Sequence, residues 1–128
     1  MEPFTIVNLL DLDDVVSARV KGLEGRFGRA QLDSRDLGVS HWRYAPGLHA
    51  TTGHRHGSQE EAYIVVSGSG KALLDGEVRE LRQWDVVRCA PPVIRAFAAG
   101  PEGMDIIAIG GPKPETSDGE MLEVAWPD

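Results

Sequence analysis

The chain has one cysteine, Cys89, in 128 residues, so an intramolecular disulfide and a zinc site of four cysteines are both excluded. Long apolar runs are missing too. The best candidates, Ala62 to Val66 and Ile106 to Ile109, fall far short of the roughly 20 residues that cross a bilayer as a helix, and no membrane is expected as a partner. Basic residues are outnumbered, 13 Lys and Arg against 20 Asp and Glu, for a formal charge of −7. They stand singly among the acids, which leaves no electrostatic footprint for a phosphate backbone, and nucleic acid is not expected either. The N-terminus lacks the basic region and small-residue cleavage site of a signal peptide, and with a lone cysteine this points to a reducing cytoplasm. There is no G-x-S-x-G elbow, no phosphate-binding glycine loop and no cysteine pair for redox work, and no organic cofactor is expected. No histidine follows His56.

What the chain does have is punctuation. Fifteen Gly and eight Pro are spread along it, cutting it into short segments instead of marking one linker. From Gly38 onward the runs Val39 to Ala45, Glu61 to Val66, Lys71 to Leu74, Glu77 to Leu81, Trp84 to Cys89, Ile94 to Ala98 and Met104 to Ile109 are strand-length and mostly rich in Val, Ile and aromatics. That spacing predicts an all-β sandwich or barrel in a single domain. Asp75-Gly76 between Lys71 to Leu74 and Glu77 to Leu81 predicts a two-residue hairpin, because Asp-Gly supplies the positive φ values such a turn needs. Ahead of these strands, Leu9 to Val20 predicts a short helix with acidic residues near its start, and Lys21 to Gly28, with three glycines, predicts a loop. Gly68-Ser69-Gly70 predicts a turn. The tail from Gly110 to Gly119 predicts irregular chain, with Met121 to Trp126 docking back as an edge segment.

The chief chemical signal is the clustering of all four histidines, His41, His49, His54 and His56, within 16 residues. On a strand, residues i and i+2 share a face about 6.6 Å apart, so His54 and His56 can converge on one ion from one side. Glu61 opens the next strand and shares its face with Tyr63 and Val65. Two imidazoles and one carboxylate leave coordination positions open, an arrangement suited to a catalytic divalent metal such as Fe(II). The alternative for an isolated H-x-H is a pair of solvated loop histidines.

The stretch GLHATTGHRHGSQEEAYIVVSG, Gly47 to Gly68, resembles the first sequence motif of the cupins, G-x5-H-x-H-x3,4-E-x6-G. His54, His56, Glu61 and Gly68 fall in place, while Gly47 stands one residue too far upstream. The resemblance implies a double-stranded β-helix, or jelly roll, over residues 37–110, with a ligand cavity in the barrel. Residues 1–36 would then be a strand and helix or irregular segment packed on the barrel, and 111–128 a C-terminal tail. The resemblance also implies a metal role for His54, His56 and Glu61. The second cupin motif departs badly: WDVVRCAPPVIRAFAA, Trp84 to Ala99, places Arg95 where that motif has a histidine.

Arginine offers donors but no acceptor, so Arg95 cannot ligate a metal. Three roles are open to it: a bidentate pair with Glu61, a charge pair with Glu60 or Glu61 at the barrel mouth, or an anchor for an anionic substrate. His41 and His49 are candidate extra ligands. Tyr63 and Phe97 would line the same cavity by strand parity, and Cys89 is expected as a buried structural thiol. Two functions are therefore expected as alternatives. One is a small-molecule enzyme of oxygenase or isomerase type that uses Fe, Mn, Ni or Zn. The other is a metal-free binding or sensing module for a small anionic or sugar-like ligand held by Arg95. A homodimer is expected, with Phe4 to Val7 as a swapped or edge strand, and Trp42, Trp84 and Trp126 as packing or dimer contacts.

Overall fold

A computed structural model describes residues 3–127. Eight strands follow in order: β1 (Leu23–Phe27), β2 (Gly38–Tyr44), β3 (Thr52–Arg55), β4 (Glu61–Leu74), β5 (Glu77–Leu81), β6 (Val86–Cys89), β7 (Arg95–Gly110) and β8 (Glu120–Glu123). All pairings are antiparallel, and the path β1-β2-β7-β3-β8 is joined through β7 to β4, which also carries β5 and β6. The frame is the β4–β7 ribbon, whose register slips between Val65 and Ser67 and again between Gly68 and Gly70. Extra residues on one strand bend and twist a ladder, so the sheet curls around its inner face. Glycine is required at the bend. Gly68 has φ of 74°, and a Cβ there would lie 2.1 Å from the Gly103 carbonyl oxygen.

Strand parity then sorts the side chains. Tyr44, Tyr63, Val65, Ala72, Phe97, Met104, Ile106 and Ala108 are buried together, and the rings of Tyr44, Phe97 and Tyr63 run in contact through this core. The Asp75-Gly76 hairpin forms with φ of 50° and 84°, and Cys89 is a buried free thiol, both as expected. The tail is irregular up to Gly119, and Glu120–Glu123 docks on β3.

Four expectations need correction. The four runs Glu61 to Val66, Lys71 to Leu74, Ile94 to Ala98 and Met104 to Ile109 are two long strands, because Gly68-Ser69-Gly70 is a bulge and not a turn. The Lys21 to Gly28 loop contains β1, where Gly25 leaves room for Val16 and Trp42 to lie on its backbone. The helix over Leu9 to Val20 is replaced by one 3-10 turn at Leu9–Asp11 followed by irregular chain. Asp14 there takes the backbone N–H groups of Val16, Ser17 and Gly25, competing with helix for the same donors. Phe4 to Val7 forms no edge strand on its own chain, and Phe4 and Ile6 stand exposed. Trp42 packs edge-on to Phe27, Trp126 donates to the Ala50 carbonyl, and Trp84 is exposed at a turn with φ of 76°.

Candidate metal centre

His54 lies on β3 and His56 one residue past its end, where the His56 N–H donates to the Pro91 carbonyl at 2.7 Å and keeps the chain extended. Glu61 begins β4 on the inward face. The three side chains meet: His54 Nε2 is 3.1 Å and His56 Nε2 is 3.2 Å from the same oxygen, Glu61 Oε1. The Tyr63 hydroxyl, two residues along β4, donates to Glu61 Oε1 and lies 3.2 Å from His54 Nε2. Burial pushes the Glu61 carboxyl up, but the hydrogen bonds from His54 and Tyr63 and the nearby imidazoles outweigh it and hold it near about 2. Burial first, then the Glu61 carboxylate, hold the Tyr63 hydroxyl protonated far above its ordinary value.

Sequence reasoning missed Asp118. Its Oδ1 lies 3.0 Å from His56 Nδ1, and its Oδ2 accepts from the Ser58 and Gln59 N–H groups and the Ser58 hydroxyl. Those contacts, the Ser58 N–H first, hold its carboxyl well below the usual carboxylate range. An ionised carboxylate can only accept, so Nδ1 of His56 carries a proton and Nε2 is the ring nitrogen turned toward Glu61. That Nε2 is buried without a hydrogen-bond partner. The available signal was slight, Asp118 being one of three acids, with Glu115 and Glu120, just ahead of a segment expected to dock.

Arg95 pairs with His54 across β7 and β3 and is fully buried. Of the roles open to Arg95, the charge pair with Glu61 is present as a long contact, and the bidentate bond does not form. Nη1 stays 3.9 Å from Glu61 Oε1, Nη2 donates to the Ala90 carbonyl, and Nε and Nη1 have no hydrogen-bond partner. Nor does Arg95 sit at a solvent-facing mouth, since Glu60 pairs instead with exposed Arg88. Phe97 is buried, its ring tilted against that of Tyr63 with centroids 4.8 Å apart.

The other two histidines are placed elsewhere. His41 is on the opposite face of β2, bonded to Asp105 at 3.0 Å, with Arg43 also on that carboxylate and Arg26 beside the ring. His49 bonds the Gly47 carbonyl and packs on Trp126. Among the described residues, His54, His56 and Glu61 form the group able to hold a metal, their donor atoms all within 4.8 Å of one another.

The donor set fits a metal. Donors about 2.1 Å from an ion stand about 3.0 Å apart when cis in an octahedron and about 3.4 Å apart in a tetrahedron, and the observed edges of 3.1 and 3.2 Å fall between. Nitrogen and carboxylate oxygen together suit Fe, Mn, Ni or Zn. Two open surface concavities, one by Asp11, Phe27 and Lys113 and one by Glu24, Arg43 and Glu102, lie away from this group.

No family model matches the chain, and no curated protein matches it in sequence. Solved structures do. A cupin protein from Bacteroides fragilis superposes with a TM-score of 0.72 at 22% identity, covering 91% of each chain. KdgF from Halomonas sp. gives 0.71 at 18% identity, over 87% of this chain and 96% of that one. A glycine-to-alanine mutant of salicylate 1,2-dioxygenase from Pseudoaminobacter salicylatoxidans, in a complex with gentisate, gives 0.65 at 15% identity over 73% of this chain, which spans 26% of the dioxygenase. The chain has the cupin β-barrel fold.

Proposed function

We propose that this chain is a metal-dependent small-molecule enzyme of oxygenase or isomerase type, with His54, His56 and Glu61 as the metal ligands. The observation that carries this reading is His56. Asp118 holds its Nδ1 so that a buried, unpartnered Nε2 faces Glu61 Oε1, and a buried polar atom without a partner costs stability unless something binds it. When bound, a divalent ion supplies Lewis-acid polarisation and open positions for substrate. The protein's part is to keep Glu61 ionised, orient the His56 imidazole through Asp118 and hold the Arg95 charge near Glu61. The likeness to a dioxygenase solved with gentisate supports a small-molecule substrate. Elemental analysis of untagged protein should give close to one transition metal per chain, lost in a folded His54→Ala variant. Metal content unchanged by that substitution would overturn the assignment.

A second reading, a metal-free binding or sensing module, is favoured by Arg95. Its Nε and Nη1 are buried without partners, which is how a guanidinium awaiting a carboxylate or phosphate looks. In that case small carboxylates should raise the melting temperature of the parent and not of Arg95→Lys, which keeps the charge and loses the planar fork. Equal stabilisation of both would argue against it. The proposal further includes a cytoplasmic homodimer, for which the exposed Phe4, Ile6 and Val86 offer apolar contact surface. A monomer mass by light scattering at micromolar concentration would remove the dimer.

A further inference from the structure

The outer face of the barrel carries more apolar surface than a solvated sheet needs. Register sets Val86 of β6 beside Ile64 of β4 and Ile107 of β7, and the next row sets Ala62 beside Ile109 and, on β2, Val39. On β4 and β7 these residues alternate with the buried Tyr63 and Ile106, so the strip faces away from the core, and none of the six belongs to the core cluster. Val86 is 60% exposed and the other five are half-buried. The turn at the end of this face is strained as well as apolar. Trp84 is 68% exposed and is held at φ of 76° by its N–H on the Val65 carbonyl, while Asp85 closes the turn on the Arg82 N–H. A bulky residue in the left-handed region costs energy, and so does an indole left in water, so a turn that keeps both is one that presents the ring.

Charge points to what the ring is presented to. The chain carries a net −7, yet the charges bordering the strip are matched on their own chain, Glu60 with Arg88 at 2.9 Å and Asp105 with Arg43 at 3.0 Å. A strongly charged partner would find these groups already paired, whereas two copies can meet on this face without bringing like charges together. Trp84 and the strip offer on the order of 500 Å² per copy, so a pair reaches the roughly 1,000 Å² that a specific interface needs. Deepening the homodimer reading above, we propose that the outer face of β6, β4, β7 and β2, with Trp84 as its anchor, is where a second copy of this chain docks, sheet on sheet about a two-fold axis.

The test is light scattering of the full chain at micromolar concentration, with circular dichroism to check the fold. The parent should have the mass of a dimer. Val86→Glu, at an exposed position, and Trp84→Gly should each weaken association by at least about tenfold and run as monomers at the same concentration. Trp84→Gly gives a second readout. Diluted to where the parent too is monomeric, it should resist urea at least as well as the parent, because glycine takes φ of 76° without strain. A variant that stays dimeric would overturn this face and leave the homodimer standing. A Trp84→Gly chain less stable than the diluted parent would overturn the anchor role, since the ring would then be serving its own fold. A monomeric parent would overturn both this proposal and the homodimer it rests on.

Discussion

Removal of one imidazole should uncouple metal from stability, and the size of the effect can be worked out. Without metal, His54→Ala loses a hydrogen bond from a half-exposed ring to Glu61 Oε1, which is worth about 1 kcal/mol. At about 2.1 cal/mol/K of unfolding entropy per residue over this length, that lowers the melting temperature by about 4 °C. Adding a divalent ion at 100 times its dissociation constant stabilises the parent by about 2.7 kcal/mol, or about 10 °C on the same scale. A site reduced from His54, His56 and Glu61 to two ligands should respond to the same ion concentration by less than about 2 °C. The assay is differential scanning fluorimetry of both proteins after chelation, with and without Zn(II) or Mn(II). Equal metal-induced shifts in parent and variant would refute the reasoning, since the ion would then be binding elsewhere.

Asp118→Asn should leave the fold intact but weaken metal binding by about 10- to 100-fold in a competition titration, because the amide can donate to His56 Nδ1 and invert its tautomer. Gly68→Ala combines a left-handed backbone with a Cβ 2.1 Å from the Gly103 oxygen. It should destabilise by at least about 3 kcal/mol in urea, with soluble expression reduced. For Asp105, burial raises the carboxyl but the bonds from Arg43 and His41 outweigh it, so its folded pKa lies below the ordinary value. Its contribution to stability is therefore present above about pH 4 and fades as the pH falls below that. Asp105→Asn should lower the melting temperature at pH 7 and narrow the gap from the parent at pH 3, and a gap constant across that range would count against the ion-pair account.

How far the sequence could carry this depends on whether the deciding contact is local. Asp75-Gly76 set its hairpin because the turn chemistry is contained in two residues, and His54, His56 and Glu61 were legible because eight residues span them. β1 was not, since Gly25 weakens a strand locally and only the packing of Val16 and Trp42 on its bare backbone repays that. His41 looked like a ligand until β2 paired with β7, which sets Arg43 opposite Asp105 and turns His41 to the same carboxylate. Asp118 lies 62 residues from the histidine it orients, beyond the reach of any spacing rule.

Arg95 shows why identity at one position was informative while its geometry was not. That a cation stands near the ligand set follows from the resemblance, but its distance decides the chemistry. At 3.9 Å and an effective dielectric constant of about 20, Arg95 and Glu61 attract by about 4 kcal/mol, without the two parallel hydrogen bonds that would lock the carboxylate away. Arg95 therefore leaves Glu61 Oε1 to its contacts with His54 and Tyr63, while its own Nε and Nη1 have no hydrogen-bond partner. A buried guanidinium with Nε and Nη1 unpartnered costs stability, which is why the proposed second reading gives Arg95 a small anion to bind, and an Arg95→Lys variant should lose any stabilisation by small carboxylates.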